Sequence, residues 1–206
     1  MENKDLDSKG LPKKDLQQEA SEQLRFIRET MERSASFTDV PGGAMAAIGL
    51  FAVLVAIFQQ YKPTFWTLSW RDTWILTAII AVFLGLVGMY RKAKRANRGL
   101  NVAPLRKFGM SIMPTIVAAA ILTSLFTHQG IYDQYHALWL LLYGAAIMAA
   151  GVASIRVVSL MGLCFMILGI LAFILPHALS MDMWMAIGFG GLHLIFGMLI
   201  QQKHGG

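Results

Sequence analysis

Histidine, methionine and carboxylate side chains at the ends of apolar runs are where this chain could do chemistry. His128, His136 and His177 stand at such boundaries, near Asp133, Asp182 and the methionines Met181, Met183 and Met185 of the stretch MDMWM. Thioether and imidazole ligands together suit copper(I). Methionine is also an ordinary filler of apolar helices, and these stretches are not dense in Cys and His. The expectation is therefore no metal centre, with His128, His136, His177, Met181 and Met183 as the weak candidates to hold one.

His193 is different, because it lies ten residues into the last apolar run, about 15 Å from that run's outer end if helical. It shares a helix face with Ala186, Gly190 and Gly197. Small residues mark close helix contact, so the imidazole should point into protein. It then either bridges helices by a hydrogen bond or serves as a gate, proton site or haem ligand. A bis-histidine haem is not expected, since His128, His136 and His177 fall at a different depth. Cys164 is the single cysteine, sits within SLMGLCFMILG and reads as a small buried apolar residue. Metal-finger spacings, Walker loops and nucleophile elbows are missing from the sequence. No catalytic residue and no cofactor is expected, and the reading is not an enzyme.

The elements that hold these residues are apolar. Of the 206 residues, 56% are hydrophobic and only 15% charged, against roughly 25% charged in an ordinary soluble domain. Residues 1–40 hold seven basic and nine acidic side chains, and the other residues hold eleven basic and three acidic. A polar tail attached to a membrane body gives that segregation. Six apolar runs follow: 42–59, 73–90, 109–127, 137–154, 157–175 and 183–200. Each is about 18 residues, or about 27 Å as helix, close to the thickness of a hydrocarbon core. Backbone groups in lipid must pair internally, which selects helices. The expected fold is all-α: six transmembrane helices in three hairpins, behind an amphipathic cytoplasmic helix at about 12–35. The domain division is 1–40 and 41–206. The fourth and fifth runs must turn near Arg156, because together they are about twice the membrane thickness. The first apolar run begins only near Gly42 and lacks an A-x-A exit, so no secretory signal is expected.

Directly after the second run comes RKAKRANRGLNVAPLRK, with Arg91, Lys92, Lys94, Arg95, Arg98, Arg106 and Lys107 and no acid. With six spans, one face collects sixteen Lys and Arg residues and the other only Lys62 and Arg71. Positive charge stays inside, so both termini are expected in the cytoplasm of a bacterial inner membrane. The basic stretch is first a topology anchor. Clustered Lys and Arg also attract anionic headgroups, at about 1 kcal/mol each. Direct nucleic-acid binding is not expected, since no stacking aromatics precede Phe108 and no DNA-reading module is recognisable.

In the tail, Leu16, Ala20, Leu24, Ile27 and Met31 form one stripe on a helix. Glu29–Arg33 and Arg28–Glu32 are i,i+4 pairs on it. The stripe suits packing on its own protein or on lipid, a cytosolic partner, or self-pairing. Acids such as Glu22, Glu29 and Glu32 complement Arg91, Lys94, Arg95 and Arg98 in charge, an exposed and salt-sensitive attraction.

Each even-numbered run opens with a polar residue and a Trp: DTW at 72–74, HALW at 136–139 and DMW at 182–184. The pattern reads either as interfacial tryptophans or as three related hairpins. LMGLCFMILGILAFILPHAL resembles the hairpin repeats of HdeD-type acid-resistance membrane proteins. RETMERSASFTDVPGG is similar to the junction in a group of bacterial six-helix membrane proteins, where M-E-x-[AS] leads through F-T-x-V-P-G into the first span. That resemblance implies six helices and no assigned activity, with genes often beside winged-helix regulators. Members tend to carry Trp after the Pro-Gly pair, where this chain has Gly43. The expected function is a regulatory, sensing or assembly subunit working through protein contacts, as a homo-oligomer or with a membrane or cytosolic partner. The alternative is a small transporter or channel for an uncharged or weakly charged solute. Ser111, Thr115, Thr123, Ser124, Ser154 and Ser159 are scattered and not aligned as a pathway would need.

Overall fold

A computed structural model describes residues 13–34, 40–61, 66–95, 97, 102–152 and 154–204, and among them the secondary structure is helical, with no strand. The chain divides into two compact units, 1–36 and 37–206.

The first unit holds α1 (Lys13–Ser34). Its exposed face carries an i,i+4 pair, Arg25 Nε to Glu29 Oε1 at 3.3 Å, a contribution of a few tenths of a kcal/mol. The side chains of Leu16, Arg28, Met31, Glu32 and Arg33, on which the rest of the expected stripe and pairs depend, lie outside the described residues.

The second unit contains α2 (Gly42–Gln60), α3 (Trp70–Arg95), α4 (Val102–Gln129), α5 (Tyr135–Gly151) and α6 (Arg156–Ile174). A last span, Met181–Lys203, consists of α7 (Met181–Met185), a π-helical stretch Ala186–Leu192, and α8 (His193–His204). Five helices are long and apolar enough to cross a membrane: Gly42–Gln60, Trp70–Arg95, Leu105–Gln129, Arg156–Ile174 and Met181–Lys203. This is a helical membrane protein. The apolar helix α5 has 17 residues and is shorter than the other five.

Three of the boundaries differ from the sequence expectation for one physical reason. Hydropathy marks where lipid ends, whereas a helix stops only when its hydrogen bonding does. So α3 starts at Trp70 and runs on to Arg95, and α4 already begins at Val102. Arg91, Lys92, Lys94 and Arg95 therefore ride on the end of α3, where cations oppose the helix dipole favourably. Arg106 and Lys107 lie in the first turns of α4. The basic stretch is two helix ends around a short connection, not one loop. Arg98 lies outside the described residues.

Glycines decide which helices meet most closely. A Cβ on Gly144 would lie 2.6 Å from the Met166 backbone nitrogen and 2.7 Å from the Gly162 carbonyl oxygen. One on Gly162 would lie 2.5 Å from Met148 N, and one on Gly169 2.5 Å from Leu141 N. The helices α5 and α6 thus touch backbone to backbone and run antiparallel. Between α2 and the last span the same holds: Gly49 faces Leu194 N at 2.6 Å and Gly197 faces Ala46 N at 2.5 Å, measured from the absent Cβ. In membranes such small-residue contact replaces the hydrophobic drive that water supplies elsewhere. The two tightest pairings therefore join helices that the three-hairpin reading assigns to different hairpins. α3 packs on α2, and α4 on α5. Both leave apolar side chains such as Ile79, Phe83, Val117 and Ile121 exposed, as lipid-facing helices do.

Candidate functional site

The interior of the second unit has its polar centre at His193, the first residue of α8 and 5% exposed. The ring Nε2 and the Tyr143 hydroxyl of α5 are 2.9 Å apart. Phe165 of α6 and Phe189 of the π-helical stretch close around the pair. The Tyr143 ring centroid is 4.9 Å from each phenylalanine, and His193 stacks on Phe189 at 6.1 Å and 16°. The Nδ1 atom is buried without a hydrogen-bond partner. An imidazole has one donor and one acceptor nitrogen when neutral, so in either tautomer one function is left unsatisfied. Gly190 and Gly197 face α2, whereas His193 turns to α5 and α6. The face expected to be shared is thus divided between two neighbours.

A second cluster gathers at the end of the unit remote from Arg91–Arg95. It unites the three polar-Trp segments that the sequence singles out, at the starts of α3, α5 and α7. Trp70 Nε1 donates to Asp182 Oδ1 at 2.7 Å, and Trp74 Nε1 approaches the same oxygen at 3.5 Å. Tyr135 stacks on Trp70 with centroids 6.5 Å apart, and its hydroxyl meets that of Thr127. Asp72 accepts from Ser69 Oγ at 2.6 Å and pairs with Arg71. His136, 1% exposed, stacks on Trp184 at 6.4 Å and 21°. Both ring nitrogens of His136 and the Nε1 of Trp184 are buried without partners. Indoles at a membrane boundary commonly anchor a span there, but an unpaired buried N–H costs about 1–3 kcal/mol. This end is therefore incompletely satisfied.

The other residues singled out in the sequence are dispersed. His128 is exposed at the end of α4, His177 is exposed between α6 and α7, Met181 is half-buried and Met183 exposed. Among the described residues no group of three His, Cys, Asp or Glu side chains could hold a metal ion. Titration with copper(I) or zinc is accordingly expected to leave thermal unfolding unshifted; a rise in midpoint with added metal would reverse that expectation. Arg91, Lys94, Arg95, Arg106 and Lys107 are exposed, while Lys92 Nζ donates to the Val40 carbonyl at 3.1 Å. Cys164 is a half-buried free thiol.

Sequence reading overlooked Tyr143. Its signal was a lone phenol inside LWLLLYGAAIMAA, beside the contact glycine Gly144. A phenol in that setting needs a polar partner at its own depth. Comparison of the chain with protein-family models, with curated proteins and with solved structures gives no match.

Proposed function

We propose that this chain is a six-span protein of a bacterial inner membrane, with both termini cytoplasmic, and that it works through protein contacts as a regulatory, sensing or assembly subunit. It is read as non-enzymatic. The sixth span is α5. At 17 residues it covers about 26 Å, and α4, α6 and α7 pack against it. Protein-lined on these sides, α5 need not match the bilayer with its own apolar length. The cationic ends of α3 and α4 fit a cytoplasmic surface carrying anionic headgroups.

The observation that carries the functional reading is the closed interior. Backbone-to-backbone contact joins α5 to α6 and α2 to the last span, and the space beside Gly188 is filled by Leu140, Leu168 and Phe165. A solute passing there would have to displace large apolar side chains. The surfaces left over are the outward faces of α3 and α4, and the side of α1 on which Leu24 and Ile27 are exposed. These are offered to another membrane subunit or second copy and to a cytosolic regulator, respectively.

Photo-crosslinking in the membrane from Ile79 and Val117 tests the reading. One defined protein adduct, of this chain or another, is expected. Lipid adducts alone, together with solute flux in proteoliposomes, would replace it with the transporter or channel reading, which the buried Tyr143–His193 pair favours.

Topology has its own test. Protease on the cytoplasmic side is expected to remove residues 1–40 and to nick 91–107, and protease on the opposite side to cut neither. Cleavage of 91–107 from the outer side would overturn the arrangement.

A further inference from the structure

The last span is held differently on the two sides of its π-helical stretch. From Gly190 onward it is clamped. Gly190 and Gly197 meet α2 at distances that leave no room for a Cβ, and His193 bonds Tyr143. Before the stretch, α7 is held by side chains and not by backbone contact. Trp70 and Trp74 bond Asp182, buried Trp184 stacks on His136, a pair whose nitrogens lack partners, and buried Met185 packs with Ala52, Ala56 and Trp74.

A π-helical turn, with i to i+5 bonding, holds an extra residue without advancing the helix face, and such turns recur at functional sites. Here the stretch is AIGFGGL, with three glycines to permit it. Converting it to α-helix while the clamped half stays still would turn the preceding half by about 100° and move it by about 1.5 Å, one residue's share of a helix. Each side chain of α7 would then take the place now held by the residue before it. Met183 would fill the position of Asp182, and Met185 that of Trp184. Trp184 would come to the place of Met183, which is 43% exposed.

We propose that α7 is a rotating outer segment with two registers, π and α, switched by the Asp182–indole bonds. Those bonds hold the π register. The α register releases the strain of the π turn and gives the stranded Trp184 N–H a polar interface to bond. Opposed terms of similar size make an element bistable rather than continuously deformable. The device couples the aromatic end of the protein to the face of the last span, and it does not depend on the functional reading above.

The test uses purified protein in lipid nanodiscs, with Cys164→Ser as background and one reporter thiol, Trp184→Cys or Met183→Cys. In the 184 reporter, which lacks the indole, relief of the π turn alone favours the α register, whereas the 183 reporter keeps both terms. Reaction with a polar maleimide is timed. Deleting Ile187 removes the extra residue and leaves both halves facing as they do now, in an all-α span that cannot turn. Labelling at 184 is expected to be at least tenfold slower with the deletion than without it. Asp182→Ala, in the undeleted chain, is expected to speed labelling at 184 and to slow it at 183. That opposite response separates rotation from fraying, which would speed both. Equal rates at 184 with and without Ile187, or parallel acceleration at both positions in Asp182→Ala, would overturn the proposal. The Asp182→Ala comparison decides alone should the deletion variant not fold.

Discussion

Replacing Gly144 with leucine is expected to force α5 away from α6 and to destroy the folded bundle. A Cβ at Gly144 meets backbone atoms, Met166 N at 2.6 Å and the Gly162 oxygen at 2.7 Å, and backbone cannot swing aside as a side-chain tip can. Overpacking a core by one methylene already costs about 1–3 kcal/mol. Gly144→Ala should therefore fall in that range, and the leucine variant beyond it, near the whole stability of an ordinary domain, about 5–15 kcal/mol. Gly109→Ala on α4 is the control. Nothing lies within 4 Å of its Cβ position, so the exchange should be neutral or stabilise by up to about 1 kcal/mol through helix propensity. Thermal unfolding of the detergent-solubilised protein reads both. A Gly144→Leu protein that unfolds at the normal temperature would mean that the α5–α6 contact is looser than these distances state.

The same glycines show how much of the fold was legible in the sequence. Apolar runs announce the helices, because lipid demands both length and internal hydrogen bonding. Which helices pair was also written in the chain, but in a period rather than in adjacency. Gly42 and Gly49, Gly144 and Gly151, Gly162 and Gly169, Gly190 and Gly197 are all seven apart. Seven residues are nearly two turns, so each pair marks one stripe. Those four stripes belong to the two backbone-close pairs. The peripheral α3 has Gly85 and Gly88 instead, and α4 has only Gly109. Reading the hairpins from chain order favoured neighbours in sequence and missed this.

Less of the site was legible. His193 stands out as a deep ionisable residue. Its partner does not, because a tyrosine in an apolar run counts as apolar until something shows where its hydroxyl goes. The π-helical stretch leaves no hydropathic period of its own, and three glycines in seven residues are only permission for it. The bond between Trp70 and Asp182 spans 112 positions, and no local pattern encodes a contact of that range. The three polar-Trp segments were visible as a repeat, yet their meeting at one end is a product of the tertiary fold.

The second large effect is expected at the buried pair. The bond runs through Nε2 of His193, at 2.9 Å from the Tyr143 hydroxyl. Tyr143→Phe leaves Nε2 unpaired beside an Nδ1 that already lacks a partner. His193→Leu strands the phenol instead. Leaving one buried polar group unsatisfied costs about 1–3 kcal/mol. The double variant, Tyr143→Phe with His193→Leu, removes both polar groups together and replaces them by apolar ones of similar size. Such paired replacement can be nearly neutral, so the double variant should be more stable than the sum of the single losses predicts. Interhelical hydrogen bonds in membranes couple by about 0.6 kcal/mol on average and about 1.7 at most. Protein encloses this pair on every described side, which places the expected coupling near the upper figure. His193→Gln, whose amide reaches the position of Nε2, should keep most of it, whereas the shorter amide of Asn stands where Nδ1 is and should not. Additive losses in the cycle, or equal behaviour of Gln and Asn, would show that Tyr143 and His193 are neighbours without being bonded partners.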